Sequence, residues 1–220
     1  MGYLPPAPPM QQPADGAAKY VGAVADGYDA KRETSEKWKA EQRLVEEFLS
    51  NLPENSTVLD IPVGTGRFLP FYLNKGYRFI GMDTSGDMIV QALLKVAEQK
   101  QVEAFVTTCN QSGRIVPAHL DDGRHVITQA DVRAIPMPDK MVDAAVMVRL
   151  TRWLEPGDCQ VAFRQLQRVS RRRVIWTARV SDHPHARPVS LFEQALGAEW
   201  RITRNEAGHE PQYRILMAER

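Results

Sequence analysis

Two rhythms of hydrophobic and polar residues run along the chain. From Ser35, suited to cap a helix, Trp38, Leu44, Val45, Phe48, Leu49 and Leu52 recur on one face up to about residue 52. Short apolar runs follow. Thr57–Asp60, Arg78–Asp83, His125–Ala130, Ala144–Val148 and Arg173–Ala178 each read as a strand. Helices are expected between them over about 65–75, and from Ser85 or Gly86 to about Gln99, where Met88, Ala92, Leu93 and Val96 keep helical spacing. Another opens at Glu155-Pro156, with proline suited to a first turn. Pro188–Leu196 reads as a short helix, and Trp200–Arg204 with Gln212–Met217 as a closing antiparallel pair. Strands alternating with helices predict an α/β fold. Its sheet has seven strands, mostly parallel, with helices on both faces and a final antiparallel hairpin.

The rhythm fails in two places. Residues 1–18 hold Pro5, Pro6, Pro8, Pro9 and Pro13 and few apolar anchors. Such sequence cannot bury enough surface to offset the entropy of ordering, so a disordered tail is expected. It is either solvated or a docking arm for a protein partner or a neighbouring subunit. Residues 101–125 form an insertion, in which Val106-Thr-Thr and Arg114-Ile-Val flank the turn-like Asn110-Gln-Ser-Gly113. The organisation is thus a tail over 1–18, an N-terminal helical segment over 19–56, and one domain over 57–220.

Composition narrows the function classes. Apolar residues make up 43% and charged residues 25% of the 220, ordinary for a globular chain. The formal charge of +1 supplies no global field toward nucleic acid or anionic lipid, although Arg171-Arg172-Arg173 is a local patch. No run approaches the roughly 18 apolar residues of a membrane helix. Two cysteines, Cys109 and Cys159, are too few for a disulfide framework or a zinc site, so a reducing, cytoplasmic setting is expected. No metal-ligand spacing occurs.

The chemistry concentrates where strands end. Val58-Leu-Asp-Ile-Pro-Val-Gly-Thr-Gly-Arg-Phe68 is a strand stopping on Asp60, a turn with Gly64 and Gly66, then a helix. A side chain at either glycine would keep a ligand off the backbone, so the segment has the form of a nucleotide-type site. The second strand ends on Asp83. This lies near the spacing of about 20 residues at which an acid meets a ribose hydroxyl pair. A carboxylate there would accept hydrogen bonds from both hydroxyls. Leu69 and Pro70 stand where a third glycine would complete a dinucleotide fingerprint, which argues against a nicotinamide dehydrogenase.

The glycine turn, Gly81-Met-Asp-Thr-Ser-Gly-Asp-Met-Ile89, Thr128-Gln-Ala-Asp-Val132 and Val142–Arg149 together resemble the class I S-adenosylmethionine-dependent methyltransferases, nearest the ubiquinone and menaquinone biosynthesis group. The resemblance covers roughly residues 58–155 and implies a Rossmann-like fold. This chain has Pro62-Val63 where many members have Gly-Cys. It also lacks the Asn/Asp-Pro-Pro-Tyr/Phe motif of amino-methyltransferases at the fourth strand.

The resemblance implies a role for each matched residue. Asp60, Gly64, Thr65 and Gly66 would cradle the amino-acid end and ribose of the cofactor. Asp83 would hold the ribose, with Thr84 and Met88 beside it, and Asp131 and the Val132 amide would meet the adenine. Arg149 and Leu150 would lie beside the methionine part, with Arg149 free to meet an acidic acceptor or to pair with a nearby aspartate. The N-terminal helix would act as a lid, with Tyr28, Lys31, Arg32 and Trp38 facing the site.

No catalytic base is evident. His183 could act as a general base or be a solvated loop residue, as could His185, and Tyr28 and Arg149 are the other candidates to act on an acceptor. The reading is a methyltransferase acting on a small-molecule acceptor or an accessible side chain. Its alternatives are a non-catalytic cofactor-binding assembly component docking through residues 1–18, and another use of the same cofactor.

Overall fold

The computed structural model describes residues 22–30, 32, 34–100, 118–120, 124–181 and 184–220. The tail, the Asn110–Gly113 turn, Lys31, Cys109 and His183 lie outside them. In chain order the elements are α1 (Ala23–Asp26), α2 (Glu36–Leu49), β1 (Thr57–Asp60), α3 (Leu69–Asn74), β2 (Arg78–Asp83), α4 (Gly86–Lys100), β3 (Ala118–Leu120) and β4 (His125–Gln129). Then come β5 (Val142–Met147), α5 (Pro156–Val169), β6 (Ser170–Arg179), α6 (Val189–Glu193), β7 (Arg201–Ala207) and β8 (Tyr213–Glu219).

All seven expected strands pair into one sheet, in the order β3-β4-β2-β1-β5-β6-β8-β7. The run from β4 to β6 is parallel. β8 lies antiparallel between β6 and β7. The eighth strand, β3, comes from the insertion and pairs antiparallel with β4 at the sheet's edge.

Side chains alternate across this sheet with a period of two, and both sets are buried. Leu59, Ile80, Ala145, Met147, Val174, Trp176 and Leu216 face the layer of α5 and α6. Val58, Phe79, Ala144, Val146, Ile175 and Ile215 face α2, α3 and α4. Phe163, Trp176 and Phe192 meet with ring centroids 4.6–5.5 Å apart and anchor the first layer. Arg171 and Arg172 are exposed beside Asp143, whereas Arg173 is buried and ion-paired with Glu219, so the three arginines form no continuous patch. No helix among the described residues is long and apolar enough to cross a membrane.

The helix after β1 begins at Leu69, later than the expected position near 65. Gly64 and Gly66 have φ of +54° and +77°, and a right-handed helix cannot pass through either. The turn therefore extends to Phe68. A Cβ at Gly66 would stand 2.7 Å from Leu69 Cδ1 and 3.2 Å from Ala92 Cα, so this glycine lets α3 and α4 close on the turn.

Gly66→Ala should therefore lower the free energy of unfolding by about 1–3 kcal/mol, the usual cost of forcing a side chain into the left-handed region. Gly157→Ala is the control. It has open space around its Cβ position in the first turn of α5 and should change stability by less than about 1 kcal/mol. Urea unfolding of both variants checks this, and equal midpoints would remove the conformational argument at Gly66.

Candidate functional site

The connection leaving β1 runs toward β2 on one side, and the one leaving its other neighbour, β5, runs toward β6 on the other, so the two diverge at the carboxyl ends of β1 and β5. A crevice opens there, as the crossover rule for open α/β sheets requires. Its walls come from the turn after β1, the ends of β2, β4 and β5, and the N-terminal segment.

Asp83 closes the end of β2. Its Oδ2 accepts from the Gly64 amide and its Oδ1 from the Ser85 amide, both at 2.9 Å. The acid thereby fixes the glycine turn while bordering the cleft. Burial is the main influence on it and raises its pKa to about 6, against the pull of the Ser85, Gly64 and Thr84 amides. Gly64 borders the same space, and a Cβ on it would come within 3.8 Å of the Met88 methyl. Thr84, Met88 and Val132 also line the cleft.

Asp131 lines the adjoining wall and caps the 3-10 turn Val132–Ala134 by accepting from the Arg133 amide at 2.8 Å. Both of its oxygens also accept from the Arg133 guanidinium, which bridges to Asp158. This pairing raises the Arg133 pKa still further and holds the Asp131 carboxylate in one orientation.

Two expected positions fall elsewhere. Asp60 is 1% exposed and is not among the residues lining the cleft; the Tyr72 hydroxyl donates to its Oδ2 at 3.2 Å. Burial, reinforced by nearby Asp83, raises its pKa to about 8, so it is a neutral acid at pH 7. Gly66 faces Leu69 and Ala92 rather than the cleft. Thr65 does line the cleft, but its hydroxyl donates to Asp29 Oδ1 at 2.7 Å.

The N-terminal segment roofs the site. Asp29 also accepts from Lys95 of α4, and the Gly22 amide donates to Asp87 Oδ2 at 2.6 Å. Tyr28 meets Trp38 edge-on at 6.0 Å, and Arg32 stacks on Tyr28 at 3.7 Å. Tyr28, Arg32 and Trp38 line the cleft.

A buried charge cluster lies under this roof. Glu41 of α2 is 1% exposed. Its Oε1 accepts from Arg67 at 2.5 Å and from Arg149 at 2.8 Å, and its Oε2 from the Tyr213 hydroxyl at 2.5 Å. Arg67 stacks on Trp38 at 3.7 Å and Arg149 lies 4.9 Å from the same ring. Arg149 does have an acidic partner, but a glutamate from α2 rather than an aspartate. Glu41, Arg67, Asp29 and Tyr213 belong to the site without being among the residues expected there from the sequence. A signal for Glu41 existed, because an acid at position 41 interrupts the apolar stripe of Trp38, Val45 and Phe48. Among the described residues no group of histidine, cysteine and carboxylate side chains could hold a metal ion.

Two stability predictions follow from these buried acids. The raised pKa of Asp60 makes its contribution greatest below the unfolded value of 3.8, and this is lost as pH rises toward about 8. Asp60→Asn cannot ionise. Its stability relative to the parent chain should therefore improve steadily from pH 4 to pH 8 in chemical denaturation, and a pH-independent difference would mean Asp60 is ionised when folded. Glu41→Ala leaves Arg67 and Arg149 without their shared acid and should cost about 3–5 kcal/mol of stability. A loss below about 1 kcal/mol would show that water satisfies both guanidiniums.

Residues 59–175, more than half of the chain, match the family model described as a methyltransferase domain. No curated protein matches the sequence. Among solved structures, the magnesium protoporphyrin IX methyltransferase of Synechocystis PCC 6803 with bound SAM is similar at a TM-score of 0.69. It is 14% identical, and the likeness covers 96% of this chain and 100% of that one. A SAM-dependent methyltransferase from Aquifex aeolicus is similar at 0.57 and 16% identity, over 88% of this chain and 98% of that one. The cyclase SpnF is similar at 0.61 and 14% identity, over 85% and 83% of the two chains. At such identities the structures establish a shared fold, while the matched segment, which spans the glycine turn, Asp83, Asp131 and Arg149, establishes the family: the chain belongs to the methyltransferase domain family.

Proposed function

We propose that this chain is an S-adenosylmethionine-dependent methyltransferase acting on a small-molecule acceptor. The cofactor follows from the family. The observation that carries its placement is Asp83, a buried acid at the end of β2 that borders the cleft while holding the Gly64 amide.

The residues present fit that cofactor. With no side chain at Gly64, the turn after β1 leaves backbone open to the cleft. Asp83 keeps lone pairs for two ribose hydroxyls, beside Thr84 and Met88. Asp131, oriented by Arg133, and the Val132 amide suit an adenine edge. Thr65 acts through the roof, tying Asp29 across the cleft, and Asp60 supports the turn from behind as a neutral acid.

When bound, the cofactor supplies a methyl group already activated on a sulfonium. The chain then has to position the acceptor and exclude water. The lid residues Tyr28 and Trp38, with Leu150, Trp153 and Leu154 beyond β5, provide an apolar enclosure over the crevice. An acceptor of modest size is favoured because the lid is bound to the domain by Asp29 and Glu41. The assembly reading, which starts from the lack of an evident catalytic base, invokes docking through residues 1–18, and these lie outside the described residues.

Asp83→Ala should weaken S-adenosylmethionine binding about tenfold or more, since hydrogen bonds to a charged group contribute about 1.5–3 kcal/mol. The ionised form makes the better acceptor. In the parent chain affinity should therefore rise with pH through the Asp83 pKa of about 6, and in Asp83→Asn that rise should vanish. Calorimetry from pH 5 to pH 8 measures both. An unchanged affinity in a folded Asp83→Ala chain would remove the acid from the cofactor site.

A further inference from the structure

Arg149 is built into the cleft more elaborately than an ion pair requires. It follows β5 with a left-handed φ of +62°, a conformation that non-glycine residues rarely hold. Its amide donates to Thr177 Oγ1 at 2.8 Å, which secures that conformation from β6. The side chain is then gripped at its inner end only. Nε donates to Glu41, and the Trp38 ring lies alongside the guanidinium. Among the described residues the two terminal amino groups, Nη1 and Nη2, have no acceptor. The side chain is 31% exposed and borders the cleft.

Arg67 provides the contrast. Its Nη atoms are taken by Glu41 and by the Trp38 carbonyl, and it is 9% exposed. Glu41 is also fully engaged, with Oε2 on Tyr213. One carboxylate therefore serves two guanidiniums, and positive charge is left over on the cleft side. Arg152, on the same wall, stacks on Trp153 at 4.7 Å and has no carboxylate partner among the described residues. A planar fork of parallel N–H donors, pre-oriented and partly desolvated, is matched by a carboxylate, which accepts both.

We propose that Arg149 is the receptor for a carboxylate on the methyl acceptor, so that the acceptor is a small organic acid. This rests on the methyltransferase reading above. Arg149 sets specificity, and Glu41 is its positioning residue.

The test uses the full chain saturated with S-adenosylhomocysteine, with benzoate as probe and benzamide as its neutral isostere. Binding is measured by ligand-detected NMR. The parent chain should prefer benzoate by about tenfold, in line with a charge-assisted bidentate contact. Arg149→Met should reduce the preference to less than about twofold. Arg149→Lys, which keeps the charge without the fork, should fall between them. Thermal unfolding midpoints close to the parent's show that each variant is folded, and S-adenosylhomocysteine affinity within about twofold of the parent's separates the acceptor's carboxylate from the cofactor's methionine part, beside which Arg149 is expected.

Three results would overturn the proposal: equal affinity for benzoate and benzamide in the parent chain, undiminished benzoate binding in Arg149→Met, or a tenfold loss of S-adenosylhomocysteine with 5′-methylthioadenosine unaffected. The last would assign the fork to the cofactor's own carboxylate. If the parent chain binds neither S-adenosylhomocysteine nor S-adenosylmethionine, the methyltransferase reading fails and this inference falls with it. If it binds the cofactor without preferring benzoate, the inference alone fails.

Discussion

The Glu41 carboxylate joins four parts of the chain that are far apart in sequence. It sits on α2 and receives Arg67 from the glycine turn, Arg149 from the exit of β5 and Tyr213 from the start of β8. Removing a carboxylate and two guanidiniums from water costs several kcal/mol per ion, and an apolar cluster of the same volume would often be as stable. Each hydrogen bond has a direction, so Glu41 ties α2 to the glycine turn, the exit of β5 and the start of β8, and it holds the Nε end of Arg149.

The two acids at the strand ends divide a different task. Asp60 and Asp83 are both buried and each raises its pKa chiefly through desolvation, but their surroundings differ. Asp83 receives backbone amides that favour its ionised form, and it borders the cleft. Asp60 receives a single phenol at 3.2 Å and sits beside the charge of Asp83, so it stays protonated to about pH 8. Two negative charges behind one turn would repel each other. Keeping one neutral leaves Asp83 as the charged group facing the crevice.

The fold by itself does not choose a reaction. The same architecture occurs in a porphyrin methyltransferase and in a cyclase, so the sheet is a platform and the reaction depends on what lines its edge. Here that lining is an apolar enclosure with arginines on the β5 side and carboxylates on the β2 and β4 side. The carboxylate side suits a cofactor rich in hydroxyl and amino donors. The arginine side suits an anion.

Local sequence determined the strands, most of the helices and their order, because short buried runs and one-faced helices are written in residues a few positions apart. It also determined the strand-end residues Gly64, Asp83 and Asp131, whose spacing follows from the length of a strand–helix–strand unit. Tertiary structure decided the rest. A helix start at Leu69 instead of near 65 followed from two positive φ angles. The short strand Ala118–Leu120 needed an edge partner that sequence spacing does not name. Asp60 bonds Tyr72 of α3, and Gly66 faces Leu69 of α3 and Ala92 of α4, contacts that depend on how these helices pack on the turn. Glu41, 108 residues from Arg149 and 172 from Tyr213, could be flagged by sequence only as an acid on an apolar stripe. Its partners depend on how the helix crosses the sheet, which is set by the summed packing of the whole core and by no segment of it alone.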